Sequence, residues 1–279
     1  MAMVINTNVA SINSQRRLTD TSNALSTSME RLSSGLRVNS AKDDAAGLAI
    51  ANGMNSQIRG MGVAVRNAND GISLAQTAES AMGELTNTLQ RMRDLGVQSA
   101  NRGAVSSSDR EKLQTEFAQL NDELNRIIGN TEFNGKKIIN GSLSGGVNFQ
   151  IGANTASDNQ IAIDIVNLSG TLSDVTAASI GSGATSAGVL SAIDIIDSAI
   201  KAIDTSRAAL GAVQNRFTTT ISNLQSSIEN QSAAKSRIMD TDFAAETAQL
   251  SRNQILQQAG TAMLSQANQA PQAVLGLLR

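Results

Sequence analysis

The feature that most constrains this chain is one uninterrupted stretch, from Asp43 to about Asn101, in which apolar side chains recur at helical spacing. Pro271 is the single proline of the 279 residues, so no proline in the stretch breaks a helix. At 1.5 Å per residue a helix of this extent would be about 85 Å long, which exceeds the needs of a globular domain. Its glycines would each weaken it by up to about 1 kcal/mol. The sequence therefore predicts a long helix that neighbouring helices hold in place.

Both ends of the chain carry further helical stripes. In residues 1–36, Leu18, Leu25 and Leu32 are spaced seven apart, and Gly35 marks the end of the helix. Such a stripe requires a partner helix, although on the pattern alone an ordinary amphipathic helix of a globular core also fits. Helical spacing returns from Val189 to about Asn230 and continues to the apolar ending at 274–278. Antiparallel pairing of the two ends would bury both stripes.

The middle of the chain has a different character. Ser108 and Glu111 fit a capping box, which predicts a shorter helix after the long one. Residues of about 130–168 then carry hairpin signals, among them Phe133-Asn-Gly and the alternating Ile161, Ile163 and Ile165. The following stretch of about 169–188 is rich in Ser, Gly, Thr and Ala, which predicts a loop or spacer.

These patterns together predict the fold class. The fold is expected to be mainly α, a long antiparallel helical rod or coiled coil with a small β-hairpin region and with both termini in one helical inner domain. If the terminal stripes are too thin to fold alone, they order only when partners arrive, as do other segments that fold on binding. Polymerisation would then supply the missing core.

The residue types that carry most enzyme chemistry are absent. The chain has no His, Cys, Tyr or Trp, so we expect no catalytic residue and no enzymatic activity. The acidic pairs Asp43-Asp44, Asp194 with Asp197, and Asp240 with Asp242 lack the spacing of a calcium loop, and helix caps or solvated faces explain them better than a metal does. No cofactor is expected.

Charge and hydropathy argue against two kinds of partner. The net charge is −2 and there is no run of Lys or Arg, so nucleic acid is not an expected partner. No run of 18 apolar residues could cross a bilayer, and the amino-terminal residues lack the basic and apolar stretches of a cleaved signal peptide. We therefore expect no membrane insertion.

Several motifs resemble one known family. They are Ile5-Asn-Thr-Asn8, the segment Glu30-Arg-Leu-Ser-Ser-Gly-Leu-Arg-Val-Asn-Ser-Ala-Lys-Asp-Asp-Ala-Ala-Gly-Leu-Ala-Ile50, Gln90-Arg-Met-Arg-Asp-Leu-Gly-Val-Gln-Ser-Ala-Asn101, Phe133-Asn-Gly135, Phe149-Gln-Ile-Gly-Ala-Asn154 and the ending Gln269-Ala-Pro-Gln-Ala-Val-Leu-Gly-Leu-Leu-Arg279. On these residues the chain resembles the bacterial flagellins, here in a short form without large central surface domains. Only residues of about 169–188 lack a counterpart.

The resemblance implies a domain layout and a function. Residues 1–42 with 238–279 would form the inner, filament-core helical domain, and 43–237 the outer helical domain. The chain would be a structural subunit that polymerises with itself into the extracellular flagellar filament used for motility. It would be exported unfolded by the flagellar type III apparatus and would meet an export chaperone, cap proteins and junction proteins.

The resemblance also implies two sets of site residues. The first is a polymerisation core of apolar side chains from both ends of the chain: Val4, Ile5, Val9, Ile12, Leu18, Leu25, Leu264, Val274, Leu275, Leu277 and Leu278. The second is Arg91, Leu95 and Glu116, which match flagellin positions contacted by the vertebrate Toll-like receptor that senses monomeric flagellin. Packing between protofilaments is the alternative role for these three residues.

Two other classes of protein compete with the filament subunit. A hook-filament junction protein resembles flagellins at its ends, and a soluble secreted helical binding module would have no need of self-complementary termini. Polymerisation separates the three, because only the filament subunit grows long filaments.

Overall fold

The computed structural model describes the backbone of residues 7–143 and 145–277 and, within these ranges, the side chains up to Gln269. The described residues form seven α-helices, at Val9–Ser34, Ala45–Ala100, Ser107–Asn130, Leu168–Thr171, Ser173–Ala177, Ser186–Met239 and Phe243–Leu277 (α1 to α7). Their four strands are Glu132–Phe133, Lys136–Lys137, Val147–Gln150 and Gln160–Ile163 (β1 to β4). The predicted mainly α fold with a small β-hairpin region is confirmed.

The long helix α2 begins and ends close to where the apolar periodicity begins and ends. Asp44 precedes its first turn, and the Asp44 carboxylate accepts a hydrogen bond from the Gly47 amide at 2.7 Å. Upstream, Gly35 ends α1 in the left-handed conformation, with φ 73° and its amide bonded to the Arg31 carbonyl. Both ends of the intervening turn therefore use the capping groups that the sequence predicts.

The start of α3 differs from the prediction. The capping residue is Ser106, whose hydroxyl oxygen accepts a hydrogen bond from the Asp109 amide at 3.1 Å, and not Ser108. The Ser106 hydroxyl also donates to the Asp109 carboxylate at 2.7 Å, so Ser106 and Asp109, and not Ser108 and Glu111, interact at the start of this helix. Three consecutive serines offered competing caps, and the earliest one begins the helix.

The helical pattern that continues beyond Asn230 is broken at 240–242. Asp240 pairs with Leu36 in an isolated antiparallel bridge, and the Thr241 amide donates to the Gly35 carbonyl at 3.0 Å. The Asp242 carboxylate then accepts hydrogen bonds from the Ala244 and Ala245 amides at 2.9 and 3.3 Å, which begins α7. Asp242 is thus a helix cap, as expected for these carboxylates.

The chain divides into two compact units, residues 1–57 with 229–279 and residues 58–228. The core of the second unit is contributed by the facing stripes of α2, α3 and α6. Its largest fully buried side chains include Phe217 of α6 and Phe117 of α3. The Phe217 ring meets the Phe149 ring edge to face at 5.9 Å, and it lies against Gly71, where a Cβ atom would come within 2.8 Å of the ring.

Two small antiparallel hairpins lie in the region predicted to contain them. The β1–β2 turn has Asn134 and Gly135 at φ 50° and 75°, the pair of positive angles that a tight two-residue hairpin turn requires. In the other hairpin Phe149 of β3 pairs with Ile161 of β4. Ile161, Ile163 and Ile165 are buried in the core of the second unit, as their alternation indicates.

Residues 169–188 form more structure than the predicted spacer. Leu168, Leu172 and Val175 are buried along α4 and α5, and the amide nitrogen of the Asn121 side chain donates to the Thr176 carbonyl at 3.0 Å. These three residues are spaced four and three apart, as on one face of a helix, but the many Ser, Gly and Thr residues around them made this pattern hard to recognise in the sequence. The segment is therefore packed on the core, and only its later part, around 178–185, is a loop.

That loop is fastened by polar side chains of α3. The Gln114 side-chain oxygen accepts from the Ile180 amide at 2.7 Å, and the Glu111 carboxylate accepts from the Ser182 hydroxyl at 2.7 Å. The hydrogen bond from the Ser182 hydroxyl holds the pKa of Glu111 below its ordinary value.

This carboxylate predicts a dependence of stability on pH. Because the pKa of Glu111 is lower in the folded chain than in the unfolded chain, the contribution of this carboxylate to stability is present at neutral pH and is lost as the pH falls through the lowered pKa. We expect Glu111→Gln to lower the melting temperature slightly at pH 7 and to leave it unchanged at an acidic pH at which the parent carboxyl is also neutral. Equal shifts at both pH values would show that charge plays no part.

Two features are absent from the described part of the chain. Among the described residues, no helix has both the length and the apolar character needed to cross a membrane. In the same part of the chain, no group of three acidic, His or Cys side chains is placed to hold a metal ion.

Candidate self-assembly surface

Helices α1 and α7 form an antiparallel pair within the first unit. At one end the Asn8 side chain donates to the Ala267 carbonyl at 2.8 Å, and the Ser11 hydroxyl donates to the Asn268 side-chain oxygen at 2.7 Å. Near the other end Arg31 and Glu246 lie 3.8 Å apart as an ion pair. The first and last helices of the chain are therefore joined along most of the length of α1.

The turn between α1 and α2 is attached to the end of α6 within the same unit. The Arg37 amide donates to the Met239 carbonyl at 2.6 Å, and the Lys235 ammonium donates to the Asn55 side chain at 3.0 Å. Val38, Ala51 and Met239 form a small buried cluster beside these bonds. This cluster lies where α1 ends and shortly before α7 begins.

The α1–α7 pair has almost no core of its own. No apolar side chain of α1, or of α7 as far as Gln269, is buried; the buried residues there are Ser11, Ser28 and Asn253. Seven large apolar side chains of the pair keep between 47% and 66% of their surface exposed: Val9, Ile12, Met29, Phe243, Ile255, Leu256 and Met263. Monomeric proteins rarely leave such a set uncovered, so this is a surface for association.

Part of this surface is concave. A groove of about 580 Å³ runs between the two helices, and Leu18, Leu256 and Met263 line its apolar part. The helices approach closely at Gly260, where a Cβ atom would lie 3.2 Å from the Leu18 side chain. A larger residue at 260 would push α1 and α7 apart and change the groove.

The structure describes the side chains of only some residues of the predicted polymerisation core. Val9 and Ile12 are exposed, and Leu18, Leu25 and Leu264 are half-buried between the helices. Val4, Ile5 and Leu278 lie outside the described residues, as do the side chains of Val274, Leu275 and Leu277. The prediction missed Leu256 and Met263, although their spacing of seven residues was a signal for one helical face.

The second predicted set lies on α2 and α3 in the other unit. The Arg91 guanidinium donates twice to one oxygen of Glu116, at 2.9 and 2.6 Å, and both side chains remain about half exposed. Leu95 is 1% exposed and belongs to the core beneath them. The structure thus brings Arg91 and Glu116 together at the surface, whereas Leu95 can act there only by supporting α2.

Two families match the chain. The family described as the bacterial flagellin N-terminal helical region matches residues 5–144. The family described as the bacterial flagellin C-terminal helical region matches residues 193–278. Together these matches include α1, α2, α3 and α7, the helices that carry both predicted sets of site residues.

Full-length relatives agree with these matches. Flagellin D of Vibrio cholerae is 42% identical over 378 aligned residues, which cover 100% of both chains. Flagellin D of Vibrio anguillarum is also 42% identical with the same coverage, and flagellin B of Vibrio cholerae is 40% identical. The aligned lengths exceed the 279 residues of this chain, so these relatives contain residues that it lacks.

The solved structures that resemble this chain have lower sequence identity to it than these relatives. The crystal structure of Bacillus cereus flagellin is 30% identical, with a TM-score of 0.49 over 61% of this chain and 94% of that one. A putative flagellar hook-associated protein from Vibrio parahaemolyticus has a TM-score of 0.60 at 13% identity, over 71% of this chain and 100% of its own. At that identity the second likeness concerns the fold alone.

Proposed function

This chain belongs to the bacterial flagellin family and is a structural subunit of the extracellular flagellar filament, and from that premise we propose that it polymerises through the α1–α7 pair. The observation that carries the proposal is the absence of buried apolar side chains in this pair, within its described part. A helical pair without a core needs neighbouring copies to cover its apolar side chains.

Covering the exposed apolar side chains releases enough free energy to drive polymerisation. Covering a side chain such as Leu256 or Met263 contributes roughly 1.5 to 3 kcal/mol when its exposure in the single chain is complete, and proportionally less at half exposure. Seven such side chains on each subunit still contribute several kcal/mol, which opposes the entropy lost when side chains are ordered at the interface. The stabilisation grows further where copies contact one another on both sides.

The domain layout and the partners form the finer part of the proposal. Residues 1–42 with 238–279 act as the filament-core domain and 43–237 as the outer domain, a division that the bonds of Gly35 and Arg37 to the 239–241 turn support. We propose that type III export delivers the unfolded chain with the help of a chaperone, and that cap and junction proteins border the filament. Family membership is the support for these partners.

Seeded growth tests the proposal. Purified chains are mixed with short filament fragments and examined by negative-stain electron microscopy, together with the variants Leu256→Glu and Gln258→Glu. Both positions are exposed on α7, so neither change strains the single chain. We expect long filaments from the parent and from Gln258→Glu, and none from Leu256→Glu, because covering the groove removes the new carboxylate from water and an ion pair with Arg17, which also lines the groove, does not offset that cost.

The outcomes also separate the alternatives. Persistent monomers of the parent chain in the presence of seeds would overturn the proposal and favour a hook-filament junction protein or a soluble secreted binding module. Filaments from Leu256→Glu as long as those of the parent would mean that this face of α7 is not covered on assembly.

A second role, contact with the vertebrate Toll-like receptor for flagellin, is supported by the exposed Arg91–Glu116 pair. We expect Arg91→Ala to lower receptor signalling by monomers about tenfold, since buried Arg side chains are frequent hot spots of interfaces. The folded chain should be little affected, because exposed ion pairs contribute about 1 kcal/mol or less. Signalling in a receptor reporter cell measures the first effect and thermal unfolding the second.

Arg93 supplies the matched control on the same helix. It is ion-paired with Asp197 at 2.6 Å and is comparably exposed, so Arg93→Ala removes a similar surface pair. Receptor signalling should be retained by this variant. Equal signalling by both variants would remove Arg91 from the receptor contact.

A further inference from the structure

The methionines that the structure describes differ widely in exposure, with Met54 half-buried between the two extremes. Met82 and Met92 are fully buried in the core of the second unit, and Met61 and Met239 are nearly so. Met29 of α1 and Met263 of α7 keep 52% and 63% of their surface exposed. Oxidants in solution therefore reach the thioethers of Met29 and Met263 far more readily than those in the core.

Of the two exposed residues, Met263 has the special position. It lines the apolar part of the α1–α7 groove together with Leu18 and Leu256, whereas Met29 does not line that groove. Under the proposed function, neighbouring copies cover this groove in the filament. Chemistry at the Met263 sulfur therefore changes a surface that assembly has to bury.

We propose that Met263 is an oxidation site that controls assembly: a peroxide converts its thioether to the sulfoxide in the single chain, and the oxidised chain no longer joins the filament. The sulfur attacks one oxygen of hydrogen peroxide, the O–O bond breaks, and the second oxygen leaves as water after proton transfer. The thioether is oxidised by two electrons and the peroxide is reduced. The product carries a strongly polar S=O group in place of an apolar sulfur.

The physical consequence follows from desolvation. In the single chain the sulfoxide oxygen of residue 263 is solvated, so the fold of the monomer is retained. In the filament the same oxygen would leave water for a groove that Leu18 and Leu256 line together with polar side chains such as Arg17, and losing its hydration in place of an apolar contact is costly. Oxidation thus acts on assembly and not on folding. It also acts only before assembly, because the covered sulfur is protected from peroxide.

The test compares three chains before and after treatment with hydrogen peroxide: the parent, Met263→Leu and Met29→Leu. Leu has nearly the volume and polarity of Met, so both variants keep the groove filled. Peptide mass spectrometry reports the oxidised fraction at each of the nine methionines, including Met1 and Met3, which lie outside the described residues. Seeded growth then gives the concentration of chain that remains unassembled.

We expect peroxide to raise that concentration about tenfold or more for the parent and for Met29→Leu, and to leave Met263→Leu unchanged. In filaments treated after assembly, Met263 should stay reduced while Met82 and Met92 are unreacted in both forms. Equal peroxide sensitivity of Met263→Leu and the parent would overturn the inference. This inference rests on the proposed function, but untreated parent chains that fail to grow would refute that function instead, so the two failures are distinguishable.

Discussion

A chain trimmed of residues 265–279 is expected to form no filaments, even on seeds that elongate readily with the intact chain. The trimmed segment contains Ala267 and Asn268, which bond to Asn8 and Ser11 and join the start of α1 to α7. Without them the α1–α7 pair loses its anchoring at one end, and the apolar ending 274–278 is removed as well. Electron microscopy and sedimentation of the seeded mixture measure the loss.

The control separates loss of assembly from loss of folding. None of the trimmed residues belongs to the unit of residues 58–228, so circular dichroism should show that most of the helix is retained. The single substitution Asn268→Ala removes one hydrogen bond, worth about 1 kcal/mol, and should slow growth without abolishing it. Full-length filaments from the trimmed chain would disprove the role assigned here to the α1–α7 pair.

The second large effect concerns stability. Phe217→Ala is expected to lower the free energy of unfolding of the second unit by about 3 to 5 kcal/mol, because it removes a fully buried ring and leaves a cavity. The ring contacts Phe149 edge to face and fills the space over Gly71, so the aromatic pair and the packing of α2 on α6 are both lost. Denaturant titration followed by circular dichroism measures the change.

Phe243 provides the matched comparison. It is the first residue of α7 and is 55% exposed, so Phe243→Ala deletes the same ring without opening an internal cavity. Phe243→Ala should lower the free energy of unfolding by less than about 1 kcal/mol. If the two substitutions had equal effects, the aromatic contact between Phe217 and Phe149 could not be a centre of this core.

Local structure was predictable wherever neighbouring residues determine it. The periodicity of 43–101 predicts α2 to within two residues, and Gly35 and Asn134-Gly135 mark turns whose positive φ angles favour those residue types. The missing His and Cys lead in the same direct way to the expectation of no catalytic site. Long unbroken patterns and special backbone angles are local properties, and a single sequence records them.

Features that depend on distant partners were missed. The start of α7 could have been found from Asp242, a capping residue ahead of a helical stripe, but the break at 240–242 is completed by bonds to Gly35 and Leu36, about 200 residues away. The burial of Leu172 and Val175 likewise depends on the core of the second unit, because the stretch itself contains few apolar residues.

By itself, the sequence determined the helices, the turns and the family, since these follow from periodicity, backbone preference and long motifs. Only the tertiary structure decided which apolar stripes are covered within the chain. The stripe of α2 buries Leu95 against α3 and α6, whereas the similar stripe of α7 leaves Leu256 and Met263 exposed. The physical reason is that helical spacing shows that one face needs a partner, but whether that partner is another part of the same chain or a second molecule depends on how the helices pack.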